Sequence, residues 1–204
     1  METTAIEGLA AGGTALLIID MINDLEFASA DAMLPVAEKA AAAISRLIQH
    51  ARSIGVPVVY VNDNYGRWNS ERSVIVEHCS RPEARGREIV ELLRPEEDDY
   101  FVMKPQFSGF YSTTLPALLP RIGANRLILT GVAADICVLF TAADAHMREY
   151  DLWVPADCVA SSAPQRTKWA LEIMENSMKA LIRPTSDFHL TQWIENFRAD
   201  RDAN

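Results

Sequence analysis

The sequence predicts an α/β protein with a three-layer, Rossmann-like α/β/α fold and a mainly parallel sheet of about six strands. Two observations support this prediction. Short apolar runs rich in β-branched residues alternate along the chain with longer segments whose apolar residues recur at helical spacing. The connections are short, and strands joined through helices are typical of parallel sheets covered on both faces. Because no internal repeat or linker interrupts this order, we expect residues 1–204 to form a single domain.

The predicted strands are apolar segments bounded by turn residues. The first follows a Gly-Gly pair, and the second begins at Pro57. In chain order the segments are TALLIID (14–20), PVVYVND (57–63), YFVMK (100–104), RLILTGV (126–132), DLWVPADCV (151–159) and, as a candidate sixth strand, LIRP (181–184).

The predicted helices lie between these strands. The first covers residues 34–54 and is ended by Gly55 and Pro57. The polar segment 64–73 has neither a helical nor a strand period, so we expect a long loop there. The remaining helices are a short one within 81–99 and longer ones over 113–123, 135–150 and 163–180.

Composition and charge exclude several classes of protein. The chain has 204 residues, of which 49% are hydrophobic, and its net charge is -9 with a pI of about 4.9. An acidic surface argues against nucleic acid as a partner, since that requires a basic face, and against anionic membranes. The apolar run ALLII is too short to span a bilayer, and the N-terminus lacks the basic start of a signal peptide. We therefore expect a cytoplasmic protein.

The three cysteines are widely spaced, without a CxxC pair or a Cys/His cluster. This spacing suggests neither a disulfide framework nor a structural zinc site. Cys79 and Cys158 have no supporting partner at a strand end, and we interpret both as structural. Cys137 differs because it follows the fourth predicted strand at the start of a helix.

Three reactive side chains are predicted to meet at one edge of the sheet. Asp20 ends the first strand, Lys104 ends the third, and Cys137 follows the fourth. In open α/β sheets, sites form at the carboxyl ends of the strands. Each residue alone has an ordinary explanation, as a turn residue, a solvated lysine or a small core residue. Their shared edge and complementary chemistry favour a catalytic set.

The three side chains would form a nucleophile, a base and an orienting cation without histidine. A thiol has a reference pKa near ~8.5, and a nearby ammonium or the positive end of a helix stabilises its thiolate. Asp20 could accept the thiol proton and hold Lys104 in place. On this basis we expect a lowered pKa for Cys137.

Two long stretches of the chain resemble the isochorismatase-like cysteine hydrolases, which include nicotinamidases and N-carbamoylsarcosine amidohydrolases. The stretches are ALLIIDMINDL and KPQFSGFYSTTLPALLPRIGANRLILTGVAADICVLFTAADAHMREYDLWVPADCV. The resemblance implies a catalytic triad of Asp20, Lys104 and Cys137. It also implies a cis peptide between Val132 and Ala133, and an oxyanion held by the backbone N–H groups of Ala133 and Cys137.

The sequence departs from the nicotinamidase pattern after the second strand. Nicotinamidases have an Asp and two His as metal ligands there, whereas this chain has VNDNYGRW. Asp63 could bind a cation, but Asn62 and Asn64 stand in place of imidazoles around it, and asparagine is a poor zinc ligand. We therefore expect neither a metal nor another cofactor, and not nicotinamide as the substrate.

Six residues are candidates for substrate binding, and four of them have an alternative structural role. Asn23 could line the pocket or form a turn, and Asn62 could bond to substrate or cap its strand. Arg67 and Trp68 could close over a substrate carboxylate and a planar group, or form a subunit contact. Phe107 and Tyr111 are expected to wall the pocket. Phe140, one turn after Cys137, is expected in the core.

The predicted function is hydrolysis of a C–N bond in a small amide, carbamoyl or related substrate through a Cys137 thioester. Isochorismatase-type vinyl-ether hydrolysis is an alternative, and the presence of Cys137 favours C–N cleavage over it. A binding module whose thiol senses redox state is a second alternative, because a fold alone does not establish chemistry. We also expect a homo-oligomer, a dimer or a tetramer, whose partner is a small-molecule substrate.

Overall fold

The computed structural model describes residues 10–66 and 71–195. This part of the chain contains six strands, and every pairing between them is parallel. The strand order is β3-β2-β1-β4-β5, with β6 also paired to β4. The strands are β1 Thr14–Ile19, β2 Val58–Asp63, β3 Tyr100–Lys104, β4 Arg126–Val132, β5 Asp151–Trp153 and β6 Val159–Ala160.

Helices cover the sheet on both faces. They are α1 Ala30–Ser53, α2 Arg72–Cys79, α3 Arg87–Leu92, α4 Leu115–Arg121, α5 Leu139–His146 and α6 Pro164–Met178. A π turn, Ala134–Val138, leads directly into α5. No helix in the two described ranges is long and apolar enough to cross a membrane.

Alternating side chains of the buried strands form two separate cores. In β1, Leu16 and Ile18 face a core that includes side chains of α1, α2 and α3. Leu17 and Ile19 face the opposite core, with side chains of α4, α5 and α6. This alternation follows from the period of two in a strand, and it explains why β1 is apolar throughout. The predicted three-layer α/β/α architecture is therefore confirmed.

Two predicted elements differ from the structure. In the segment 181–184, Leu181 forms only a single bridge to Trp153, so the sixth strand is β6 instead. β6 comes from the predicted fifth strand, which a turn at residues 155–158 divides because Cys158 N–H donates to the Pro155 carbonyl. The predicted loop 64–73 also ends earlier than expected, since α2 begins at Arg72.

Gly131 permits the close approach of β4 to β1 beneath the candidate site. Its φ is +112°, and a Cβ at this position would lie 2.0 Å from the Ile19 carbonyl oxygen. Gly131 N–H also donates to the Cys158 carbonyl at 2.8 Å, which ties β4 to the start of β6. A side chain here would therefore force two strands apart.

We expect Gly131→Ala to lower the free energy of unfolding by about 3 kcal/mol or more, from positive-φ strain combined with overpacking. Urea denaturation measures the change. Gly55→Ala is the matched control, because Gly55 has φ +73° but a Cβ added there would meet nothing within 4 Å. It should cost only about 1–2 kcal/mol. Equal midpoints for the two variants would contradict this account of the β1–β4 contact.

Candidate active site

Asp20 lies immediately after β1 with a left-handed backbone, φ +52°. Its N–H donates to the Val61 carbonyl at 3.0 Å, which continues the pairing with β2. Its carboxylate Oδ1 accepts the N–H of Asp63 at 2.8 Å, and only 8% of the side chain is exposed. Asp20 is therefore held at the sheet edge by β2, with Oδ2 free for a partner.

That partner is Lys104, at the end of β3. Its Nζ lies 2.8 Å from Asp20 Oδ2 and 3.5 Å from Cys137 Sγ, and it donates to the Gln106 carbonyl at 3.2 Å. The side chain is fully buried. A buried ammonium requires such partners, because desolvation without them is costly. The structure thus brings Asp20, Lys104 and Cys137 together, as the strand ends predict.

Cys137 lies in the π turn that precedes α5, and its side chain is partly exposed. The Thr141 hydroxyl donates to the Cys137 carbonyl at 2.6 Å and accepts the Gly109 N–H at 3.0 Å. Thr141 is itself fully buried. It therefore links the turn that carries the thiol to the loop that follows Lys104.

The turn before Cys137 presents backbone donors beside the thiol. The Val132–Ala133 peptide bond is cis, at the position that the family resemblance implies. Ile136 and Val138 donate to the Ala133 carbonyl at 3.1 and 3.2 Å. N–H groups in a first helical turn lack intrahelical acceptors. The oxyanion role of the Ala133 and Cys137 N–H groups stays a prediction.

A polar cluster fixes the start of this turn. Asp135 N–H donates to Ser161 Oγ at 3.2 Å, and the Asp135 carboxylate accepts bonds from Ser161 and Arg166. Burial alone raises the pKa of Asp135, but the bonds from Ser161 and Arg166 hold that pKa below its usual value. Asp135 is thus ionised and anchors the turn to the end of β6 and the start of α6.

The protonation of the triad differs from the sequence-based expectation. Burial and the neighbouring charge of Asp20 raise the pKa of Cys137 to about 12, and Lys104 only partly offsets them. Burial also raises the pKa of Asp20, against the opposing effect of Lys104. Burial lowers the pKa of Lys104, yet Asp20 and Cys137 reverse this and raise it. At neutral pH the resting site thus holds a thiol and an ammonium, and the predicted lowering of the Cys137 pKa is wrong.

Accessibility, by contrast, separates Cys137 from the other two cysteines. Cys79 and Cys158 are fully buried. We expect iodoacetamide to alkylate Cys137 at least about tenfold faster than either, because a reagent must reach the sulfur before it reacts. Peptide mapping after partial labelling measures this ratio, with Cys137→Ala as the control for peptide assignment. Similar labelling of all three would show that Cys137 is not the accessible thiol.

A cavity of about 700 Å³ opens beside Lys104. Phe107 and Tyr111 line it, as predicted, and both are largely exposed. Phe140 also lines it, with its ring centroid 5.7 Å from that of Phe107. The expectation of a core position for Phe140 is therefore wrong, because this side of α5 faces the cavity and not the sheet. The remaining lining residues are Asp63, Asn64, Gly66, Pro105, Gln106, Ser108, Ser112 and Asp144.

Two predicted substrate-binding residues instead have structural roles. Asn62 is fully buried, and its amide accepts the Ile22 N–H at 3.1 Å and donates to the Ile22 carbonyl at 2.9 Å. Asn23 accepts the Leu25 N–H at 2.8 Å, which is a turn contact. Neither residue lines the cavity. Arg67 and Trp68 lie outside the described residues.

Asp63 is a member of the site that sequence reasoning did not assign. Its Oδ2 lies 3.8 Å from Lys104 Nζ, its N–H holds Asp20, and its side chain lines the cavity. The available signal was its position at the end of β2, which matches that of Lys104 on the neighbouring strand.

The residues around Asp63 do not fit the zinc site of nicotinamidases. Asn62 is engaged by Ile22, and Asn64 Oδ1 accepts the Gly66 N–H at 2.9 Å. Among residues 10–66 and 71–195, no three His, Cys, Asp or Glu side chains converge in a metal-binding arrangement. One carboxylate and two side-chain amides that already bond to backbone groups are a poor donor set for zinc.

Comparison with known proteins places this site in a family. The isochorismatase domain model matches residues 14–185. The uncharacterized isochorismatase family protein YaaI of Bacillus subtilis is 42% identical over 168 residues, which cover 82% of this chain and 92% of YaaI. A ureidoacrylate amidohydrolase, RutB, from Methylorubrum extorquens is 31% identical over 183 residues, covering 76% and 72% of the two chains.

A solved structure has the same architecture. N-carbamoylsarcosine amidase from Thermoplasma acidophilum superposes with a TM-score of 0.67 at 30% identity, over 86% of this chain and 98% of that enzyme. The residues that the family model matches include all six strands and all three of Asp20, Lys104 and Cys137. On these grounds the chain belongs to the isochorismatase family.

Proposed function

We propose that this protein is a cysteine hydrolase that cleaves a C–N bond of a small amide, carbamoyl or related substrate. The observation that supports this most strongly is the contact of Lys104 Nζ with both Asp20 and the Cys137 sulfur, next to a cavity of substrate size. Two relatives described above are named for hydrolysis of C–N bonds, ureidoacrylate amidohydrolase and N-carbamoylsarcosine amidase. Both agree with the chemistry of the cluster.

In the first step, Asp20 removes the Cys137 proton as sulfur attacks the carbonyl carbon. A general base is needed because the raised pKa of about 12 keeps the thiol protonated. The raised pKa of Asp20 makes it a stronger base than an ordinary carboxylate. The N–H groups of Ala133 and Cys137 would hold the oxyanion, as the family resemblance implies.

In the second step, the tetrahedral intermediate collapses. Asp20, now carrying the proton, donates it to the leaving nitrogen, and the C–N bond breaks to leave a thioester on Cys137. Water then attacks the thioester, with Asp20 again as the base, and the proton returns to the thiol. Lys104 stays charged throughout, and it offsets the negative charge on Asp20 and on the developing thiolate.

An ammonia-release screen tests this function. Small primary amides, ureido acids and aromatic carboxamides would be incubated with the parent protein and with Cys137→Ala. We expect release from at least one class by the parent only. Vinyl-ether hydrolysis of isochorismate without ammonia release from any amide would favour the alternative reaction. Reversible oxidation of Cys137 without any hydrolysis would favour redox sensing.

The cytoplasmic location and the homo-oligomeric state of the protein stay predictions.

Hydrolysis should not depend on a metal. Because Asn62 and Asn64 are committed to backbone groups, we expect activity to be unchanged within about twofold after dialysis against EDTA. The measurement is the ammonia-release rate before and after chelation, with metal-free buffer as the control. Recovery of lost activity on addition of zinc or manganese would show that Asp63 holds a metal after all.

A further inference from the structure

We propose that the enzyme selects substrates that carry a cationic nitrogen close to the scissile C–N group, and that Asp63 is the residue that determines this specificity. The inference rests on the proposed function and names the class of substrate for the same site. It is drawn from the charge and the shape of the cavity walls.

Asp63 and Asp20 share Lys104 but face different surroundings. Asp20 lies 2.8 Å from Nζ and is 8% exposed, whereas Asp63 lies 3.8 Å from Nζ and is 43% exposed. Only Asp63 lines the cavity. One ammonium therefore faces two carboxylates, of which Asp20 makes the closer contact. Asp63 is the group that presents a carboxylate to an incoming ligand.

The opposite walls of the cavity are aromatic. Phe107, Tyr111 and Phe140 each expose about half or more of their surface, and all three line the cavity. The faces of aromatic rings attract cations. A cation enclosed by rings and paired with a carboxylate is stabilised by both, while a neutral group of the same shape gains only the apolar contact.

No cationic side chain lines the described part of the cavity, and Lys104 Nζ, 3.8 Å from Asp63, lies closer to Asp20 at 2.8 Å. The lining residues among 10–66 and 71–195 include no Lys, Arg or His. The other carboxylate, Asp144, accepts the Ser108 hydroxyl at 2.5 Å and pairs with Arg148 at 2.6 Å, so its charge is balanced. A substrate carboxylate beside Asp63 would therefore meet a like charge that Lys104, shared with Asp20, offsets only in part.

Binding of three amides of similar size distinguishes the effect of ligand charge from the effect of ligand shape. Trimethylglycinamide is cationic, 3,3-dimethylbutanamide is its neutral isostere with carbon in place of nitrogen, and succinamate is anionic. Binding to Cys137→Ala, which cannot form the thioester, would be measured by calorimetry. We expect the cationic amide to bind about tenfold more tightly than the neutral one, and succinamate to bind more weakly than both.

Variants test whether Asp63 is the cause. In the Cys137→Ala background, Asp63→Asn should reduce the cation-to-neutral ratio severalfold, which leaves only the part contributed by the aromatic rings. Glu172→Gln changes the net charge equally on an exposed face of α6 and should leave the ratio intact. Arg67→Ala should also leave it intact, because the described walls already account for the selection.

Several results would overturn the inference. They are equal affinity for the cationic and neutral amides, tighter binding of succinamate, a ratio that Asp63→Asn leaves unchanged, a loss of the ratio in Arg67→Ala, or no binding of the cationic amide at millimolar concentration. Failure of the proposed function is seen separately, as absence of ammonia release by the parent, because these affinities are measured without turnover.

Discussion

Replacement of Cys137 by alanine is expected to lower kcat/KM for amide hydrolysis by about 10⁴-fold or more, because no other group can form the thioester. Cys137→Ser should lose nearly as much activity. A hydroxyl is a far weaker acid than a thiol, and the triad contains no histidine that could serve as the base for it. The thiol is partly exposed at the start of a helix, so both variants should unfold at the same urea concentration as the parent.

The control for Cys137 is another cysteine. Cys79, the last residue of α2, is fully buried, and its Sγ lies 3.8 Å from the Tyr65 hydroxyl. Cys79→Ala should retain activity per folded molecule even if it is less stable. Residual hydrolysis by Cys137→Ala within about tenfold of the parent would remove the thioester from the mechanism.

Lys104→Met is expected to lose most activity, by about 10²-fold or more at neutral pH, through its effect on Asp20. The ammonium is the main group that opposes the burial-driven rise in the pKa of Asp20. Without it that pKa rises further, and the carboxyl becomes protonated and cannot act as the base. A methionine of similar length fills the same buried space, so the protein should still fold.

The pH profile distinguishes this effect from a packing defect. Activity requires ionised Asp20, so it falls as the pH drops through the pKa of Asp20, which is already raised in the parent. In Lys104→Met the midpoint of this fall should move upward by about 1–3 pH units. Lys39→Met, at an exposed position on α1, changes the net charge equally and should not move it. Superimposable profiles for Lys104→Met and the parent would remove Lys104 from the mechanism.

The edge of the sheet that carries the site was predictable from the sequence. Asp20 and Lys104 each end an apolar run, and parallel strands place their carboxyl ends together. The glycine before Cys137 marks where β4 ends and a helix begins. These signals are local. They agree with the structure because the end of a strand and the start of a helix depend mostly on nearby residues.

The walls of the site were less predictable, because they depend on which face of an element is buried. Asn62 and Asp63 are neighbours in β2, and their side chains point to opposite faces. In the structure the Asn62 side chain bonds to the backbone of Ile22, whereas the Asp63 side chain lines the cavity. Phe140 has a helical spacing that suits either a core or a wall, and only the packing of α5 decides between them.

The thiol pKa could not be deduced from residue types. A cysteine near lysine is expected to ionise easily, yet burial and the charge of Asp20 outweigh Lys104. Both depend on distances and solvent exclusion that the sequence does not contain. The same geometry makes a base necessary in the proposed mechanism, and it favours, of the two roles expected for Asp20, that of accepting the thiol proton.

The claim that Cys137 rests as a thiol and is deprotonated by Asp20 during attack can be measured directly. A thiolate absorbs in the ultraviolet more strongly than a thiol, and the difference spectrum between the parent and Cys137→Ala isolates this one sulfur from the other cysteines and the tyrosines. With a pKa of about 12, Cys137 should contribute no thiolate band at neutral pH, and the band should appear only in strongly alkaline solution. A full thiolate band at pH ~7 would contradict the account, because it would mean that Lys104 alone holds a preformed thiolate and that Asp20 is not the activating base.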